Sequence, residues 1–275
     1  MRLAPHGAAG PCRPLIAGLV LVTLVGLLVG CGAAGPPRPG TTTLTVFGAA
    51  SLGPALQALG TAYRASAGIE IVVSTGSSTT LRTQIEQGAQ PDVFLSADLA
   101  NPEALIAAGL VDGPLVRFAG NQLAVVIPAD NPGHLLQPTD LGRDGVRVVA
   151  AADGVPITAY ASRLLAQLST LPGAPADLAA RYDANVVSRE ESVAAVLAKI
   201  ELAEGDAAVV YASDASGSTK VTTLAIPVDR NVAASYGGVV PVGAANPVAA
   251  RAFLTWLIGP EGQRALVEYG FSLPQ

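Results

Sequence analysis

Four turns hold the residues best suited to chemistry. They are Phe47-Gly48-Ala49-Ala50-Ser51, Ser74-Thr75-Gly76-Ser77-Ser78-Thr79-Thr80, Asp153-Gly154-Val155-Pro156-Ile157-Thr158 and Ser188-Arg189-Glu190-Glu191. Three of them are rich in Ser, Thr, Gly or Pro. Small residues let a backbone approach a ligand closely, and free N–H groups at a helix start attract an anion. The competing reading is ordinary helix capping. Ser and Thr are preferred caps, and Ser188-x-x-Glu191 has the spacing of a capping box.

A hydrolytic reading starts from Ser51. Ala49-Ala50-Ser51-Leu52-Gly53 lies between a strand and a helix, like a degraded nucleophile elbow. Such a serine needs a histidine base placed late in the chain. His134 sits mid-chain in the turn Asn131-Pro132-Gly133-His134, and His6 lies near the N-terminus. The expectation is therefore a protein that is not an enzyme. A resident metal is not expected either, because no His/Cys cluster or dense carboxylate loop is present.

These turns need strands and helices to position them. Apolar runs at Thr43–Phe47, Ile69–Val73, Asp92–Leu95, Leu123–Ile127, Val146–Ala150, Asn185–Val187, Ala207–Tyr211 and Val221–Ile226 predict strands. Helical spacing predicts helices from about Ser51, around Leu81 and Ile85, and at Pro102–Ala108. Further helices are predicted at Ile157–Leu168, Glu190–Glu204, Pro247–Leu257 and Glu261–Tyr269. Repeated β-α units with continuous apolar strands imply parallel sheets covered by helices. Ligands in such sheets sit beyond the carboxyl ends of the strands, where the four turns lie. Two α/β lobes are expected, linked after Phe118 and around Pro227.

Composition narrows the function. The chain has 275 residues, 50% hydrophobic but only 4% aromatic, so its core is built from small aliphatic side chains. Its net charge is −5, and no basic stripe offers a surface to nucleic acid. At the N-terminus, Arg2 and Arg13 flank a polar start, and Leu15–Val29 is an uncharged apolar run ending in Leu28-Val29-Gly30-Cys31. That is the layout of a secretory signal, and the run is short for a membrane span. Cys31 in this position resembles a bacterial lipobox. The resemblance implies a signal peptide over 1–30, lipid on Cys31 and a Gly/Pro-rich tether over 31–40. Loss of Arg2 and Arg13 would leave 14 basic against 21 acidic groups, a net −7. Steering by net charge would not help such a protein gather an anion, so binding would rest on local donors.

In their order along the chain, several stretches resemble the periplasmic molybdate-binding proteins of ABC transporters. They are Val46–Leu52, Gly76–Leu81 with Gln84-Ile85 and Gly88, Gln90–Asp98, Asn121-Gln122-Leu123, Val155-Pro156, Tyr160-Ala161, Val209–Ala215 and Tyr269-Gly270-Phe271. The resemblance runs from about Thr43 to the C-terminus. It implies a two-lobed, hinged periplasmic-binding-protein fold of type II, each lobe a mainly parallel sheet flanked by helices. Residues 41–118 and 229–275 would form the first lobe and 119–228 the second.

The implied protein is a monomer without a cofactor that captures molybdate or tungstate and hands it to an ABC permease. The implied contacts are the hydroxyls and N–H groups of Ser51 and Ser78, the backbone N–H groups of Ile157 and Val193, and the phenol of Tyr211. The family usually reads Val-Pro-Ala-Gly where this chain has Val155-Pro156-Ile157-Thr158. From that departure Thr158 is expected to face the ligand and add a donor. The alternatives are a binder of sulfate or another tetrahedral oxyanion, a serine hydrolase using Ser51, and a surface lipoprotein with no small ligand.

Overall fold

A computed structural model describes residues 42–274. Cys31, the apolar run and the tether lie outside the described residues. In chain order the strands are β1 (Thr43–Ala49), β2 (Glu70–Gly76), β3 (Val93–Ser96), β4 (Val116–Asn121), β5 (Leu123–Pro128), β6 (Val148–Ala151), β7 (Val186–Glu190), β8 (Ala208–Tyr211), β9 (Val221–Leu224) and β10 (Ala234–Val239). The helices are α1 (Gly53–Ala67), α2 (Ser78–Glu86), α3 (Ala100–Ala107), α4 (Pro156–Leu168), α5 (Leu178–Ala184), α6 (Val193–Glu201), α7 (Ala212–Ser216), α8 (Pro247–Leu257) and α9 (Pro260–Glu268).

The first lobe is built on a five-stranded sheet in the order β2-β1-β3-β10-β4. Alternation along β3 shows how it is filled. Val93 and Leu95 point into the main core with Leu44, Leu56 and Leu59, while Phe94 joins Leu81, Ile85, Leu105 and Val239 on the opposite face. Gly48 lets α1 pack closely on β1: a Cβ there would lie 2.3 Å from Leu56 Cδ1, so the buried Leu56 side chain would have to move aside.

The second lobe contains the sheet β8-β5-β9 and the pair β6-β7, joined by a parallel bridge between Val148 and Ala207. Parallel pairing occurs where a helix connects neighbours: β1 with β2, β1 with β3, and β6 with β7. The strands next to the interlobe crossings pair antiparallel: β10 with β3 and β4, and β5 with β8 and β9. Each lobe is thus mixed.

The chain crosses between lobes at Gln122, from β4 into β5, and again between β9 and β10. Asn231 on the return crossing brackets Leu123: its Oδ1 accepts from the Leu123 N–H at 3.1 Å and its Nδ2 donates to the Leu123 carbonyl at 3.0 Å. A ladder of edge-to-face rings runs from one lobe to the other. Tyr160 packs on Tyr211 at 6.0 Å, Tyr211 on Tyr236 at 5.7 Å, and Tyr236 on Phe271 at 5.3 Å.

The capping box expected at Ser188 is not formed. Ser188 lies inside β7, and Ser192 caps α6, its Oγ accepting from the Ala195 N–H at 3.3 Å. The strand wins because Val186 to Glu190 pair with β6, which delays the helix start to Val193.

Candidate functional site

Three helix starts, one short turn and one strand end converge between the lobes. Ser51 sits in a single 3-10 turn, Ala50–Leu52, between β1 and α1. Ser77 precedes α2 and Ser78 opens it, just beyond the end of β2. From the other lobe come Pro156 and Ile157 at the start of α4, Val193 at the start of α6, and Tyr211 at the end of β8. Together with Ala49, Ala50, Gly76, Ala97 and Val155 they line a small, tightly closed cavity. None of the lining side chains is charged.

Of the residues expected at the site, Ser51, Ser78, Ile157, Val193 and Tyr211 are brought together, and each is 4% exposed or less. Thr158 is not among them. Its hydroxyl donates back to the carbonyls of Ala151, at 3.2 Å, and Ala152, at 2.9 Å, and its N–H donates to the Val155 carbonyl. The expectation that Thr158 faces the ligand is corrected: in the first turn of α4 its side chain bonds the end of β6 and faces a second cavity inside the lobe. Ser77 was not singled out from sequence. It lines the cavity, and its buried Oγ has no hydrogen-bond partner.

Hydrogen bonding polarises the site. The Ser78 Oγ accepts from the Ala97 N–H at 3.0 Å, leaving its own proton free for the cavity. The Ser51 Oγ lies 2.9 Å from the Tyr236 Oη. The Tyr211 Oη is buried without a partner. Burial raises the phenols of Tyr211 and Tyr236 well above their ordinary value, so both remain protonated. Ile157 and Val193 stand at the starts of α4 and α6, where a backbone N–H lacks an acceptor within its own helix. The cavity therefore presents hydroxyl and amide protons and no carboxylate.

The lateral contacts that join the lobes surround this cavity. Thr79 on α2 donates to the Gly154 carbonyl, Asn121 Nδ2 donates to the Ser213 Oγ at 2.8 Å, and the Ser235 N–H donates to the Tyr160 Oη at 3.3 Å. The Ser51 hydroxyl has Tyr236, not a histidine, as its partner, and His134 lies in the turn after β5. The described residues hold no group of three or more His, Cys, Asp or Glu side chains suited to a metal ion.

Two α/β lobes closing helix starts around a donor-lined cavity define a solute-binding protein of type II architecture. The sequence agrees: the chain belongs to the family of bacterial extracellular solute-binding proteins, whose pattern it matches over residues 44–272. It is 35% identical over 268 residues to the molybdate-binding protein ModA of Mycobacterium tuberculosis, covering 94% of this chain and 98% of that one. Its fold superposes on the periplasmic molybdate-binding protein of Azotobacter vinelandii with a TM-score of 0.72 at 24% identity, covering 84% of this chain and all of that one. It also superposes on the sulfate-binding protein SubI of Mycobacterium tuberculosis with a TM-score of 0.74 at 20% identity, covering 84% and 86%.

Proposed function

We propose that this protein captures molybdate, or the closely similar tungstate, outside the cytoplasm and delivers it to an ABC importer. The observation that carries the reading is the polarity of the cavity. Tyr211 and Ser77 aim buried, unpartnered hydroxyls at it, Ser78 has a free proton, and no lining side chain is charged. Molybdate is a fully deprotonated tetrahedral dianion at neutral pH and offers acceptors only. A cage of neutral donors matches it without leaving a buried Lys or Arg unpaired when the lobes open.

Ser51, Ser78, Ile157, Val193 and Tyr211 are the proposed contacts, now joined by Ser77. Sulfate, the alternative ligand, has the same charge and the same lack of protons, so separation from it falls to cavity size. The oxygens of sulfate sit closer to the central atom and would reach fewer of the donors at once.

The proposed division into lobes, 41–118 with 229–275 and 119–228, follows strand membership except at the first boundary, where β4 keeps residues 119–121 in the first lobe's sheet and the crossing falls between Asn121 and Leu123. Lipid on Cys31 and a monomer handing its ligand to a membrane permease belong to the same proposal. Their support is the Leu28-Val29-Gly30-Cys31 sequence and the family. None of the described helices is long and apolar enough to cross a membrane.

Calorimetric titration of the purified protein tests the binding. Molybdate and tungstate should bind with one-to-one stoichiometry, and the paired change Ser51→Ala with Ser78→Ala should abolish the heat. Binding that survives the double change would place the ligand elsewhere.

A further inference from the structure

The bond between Ser51 and Tyr236 could run in either direction, and the residues behind it decide which. The Gln122 N–H donates to the Asn121 Oδ1 at 2.9 Å. A backbone N–H can only donate, so the amide is held with its oxygen toward Gln122 and its nitrogen toward the cleft. The Asn121 Nδ2 then donates to the Ser213 Oγ at 2.8 Å and to the Tyr236 Oη at 3.4 Å. Tyr236 has two hydrogen-bond partners, Asn121 Nδ2 and Ser51 Oγ, and the first is a donor only. The phenol proton therefore goes to the Ser51 Oγ, and the Ser51 proton is turned away from Tyr236, toward the cavity that Ser51 lines. All three side chains are 4% exposed or less, so the chain is shielded from bulk solvent.

Resting on the oxyanion reading of the cavity, we propose that Asn121 and Tyr236 are positioning residues that fix the Ser51 hydroxyl as a donor and so select oxyanions that carry no proton. Neither residue lines the cavity. Their effect is on the direction of one hydrogen bond. An oxyanion bearing a proton needs an acceptor. With its proton held toward the ligand, Ser51 meets a protonated oxygen with a donor in front; to turn that donor away it would place its proton on Tyr236, whose own proton would then face the Asn121 amide N–H groups with no acceptor. An unmatched buried proton is expensive, and sites discriminate strongly on that basis.

Sulfate and hydrogen phosphate separate this from size selection. At mildly alkaline pH both are tetrahedral dianions of nearly equal size, differing by one proton. Affinities for both are measured by displacement of molybdate from the full-length protein, its Tyr236→Phe variant and its Asn121→Asp variant. The wild type should prefer sulfate. In Tyr236→Phe the preference should shrink by about tenfold or more, since one charge-assisted bond changes direction.

Asn121→Asp places an acceptor behind Tyr236 and reverses the chain, so phosphate should gain on sulfate. This variant carries the test if Tyr236→Phe does not fold. Tyr211→Phe, which removes a proposed direct donor, should weaken both anions and leave their ratio as it was. A sulfate-to-phosphate ratio unchanged in a variant that still binds molybdate would overturn the relay and leave the function standing. So would a wild type that prefers phosphate. A wild type that binds no oxyanion would overturn both.

Discussion

Thr79 and Gly154 form a hydrogen bond across the mouth of the cleft: the Thr79 hydroxyl, on the second residue of α2, donates to the Gly154 carbonyl in the turn before α4. Gly154 holds φ at +84°, a left-handed backbone that turns the chain toward α2 and that a bulkier residue would strain. The bond can exist only while the lobes are together, so it belongs to the closed form that a ligand stabilises. Thr79→Val keeps the shape and removes the donor. Molybdate affinity should fall by a few-fold to about tenfold, the range expected for one neutral hydrogen bond. Stopped-flow release should show the change mainly as faster dissociation. Unchanged release would mean the contact does not hold the closed form.

Tyr211 gives a prediction with two readouts. Its hydroxyl is buried and unpartnered without ligand, so the unliganded protein loses nothing with Tyr211→Phe. The melting temperature should hold or rise slightly. Binding should weaken by about ten- to a hundredfold, since a bond to a charged group contributes roughly 1.5–3 kcal/mol. A variant that melts lower yet binds normally would mean that the phenol has a structural partner and no role at the ligand.

Thr158 behaves in the opposite way. Its hydroxyl ties the first turn of α4 to the carbonyls of Ala151 and Ala152. Thr158→Ala should leave molybdate affinity within twofold or so and lower stability by about 1 kcal/mol. Denaturant unfolding and titration of the same sample read both effects. A large loss of affinity would restore Thr158 to the ligand shell.

Asp214 makes stability depend on pH. Its carboxyl, on the third residue of α7, accepts from the Tyr211 N–H at 3.2 Å, and burial pushes it from 3.8 up to about 7. Between those values the unfolded chain has released the proton and the native protein still holds it. The stability this group contributes is fully present below about pH 3.8 and is lost as the pH rises to about 7. Unfolding free energy should therefore carry a downward slope across that window, and Asp214→Asn should flatten it. A slope of the same size in the variant would assign the effect to other groups.

Part of the candidate site is legible in the sequence pattern itself: the hydroxyl-rich turns that carry Ser51 and Ser78 lie where a strand gives way to a helix start, and such turns converge at one edge of an α/β sheet. Ile157, Val193 and Tyr211 are expected from the family resemblance, since an Ile, a Val and a strand-end Tyr carry no pattern of their own that marks a ligand contact. β4 and β10 are not legible, because Val116–Asn121 and Ala234–Val239 carry Gly, Asn, Ser and Arg where a buried strand is expected to be aliphatic. Those residues serve the crossing: Asn121 and Tyr236 are held there to work on Ser51, at the cost of a plain strand pattern. Ser77 is hidden for another reason. A serine before a helix is ordinarily its cap, and only the structure reveals that its side chain caps nothing. Thr158 errs in the same direction, since a hydroxyl in a first helical turn can always bond back to the strand that precedes it.

The most direct test of the account is thermal unfolding of the purified protein with molybdate, tungstate, sulfate and hydrogen phosphate, each at matched concentration. At a hundred times its dissociation constant a ligand should add about 2.7 kcal/mol of stability. A cavity lined by neutral donors, with anion size separating molybdate and tungstate from sulfate, predicts that large shift for molybdate and tungstate, a smaller one for sulfate and the smallest for hydrogen phosphate. A shift with hydrogen phosphate equal to that with molybdate, or no shift with any of the four, would contradict it.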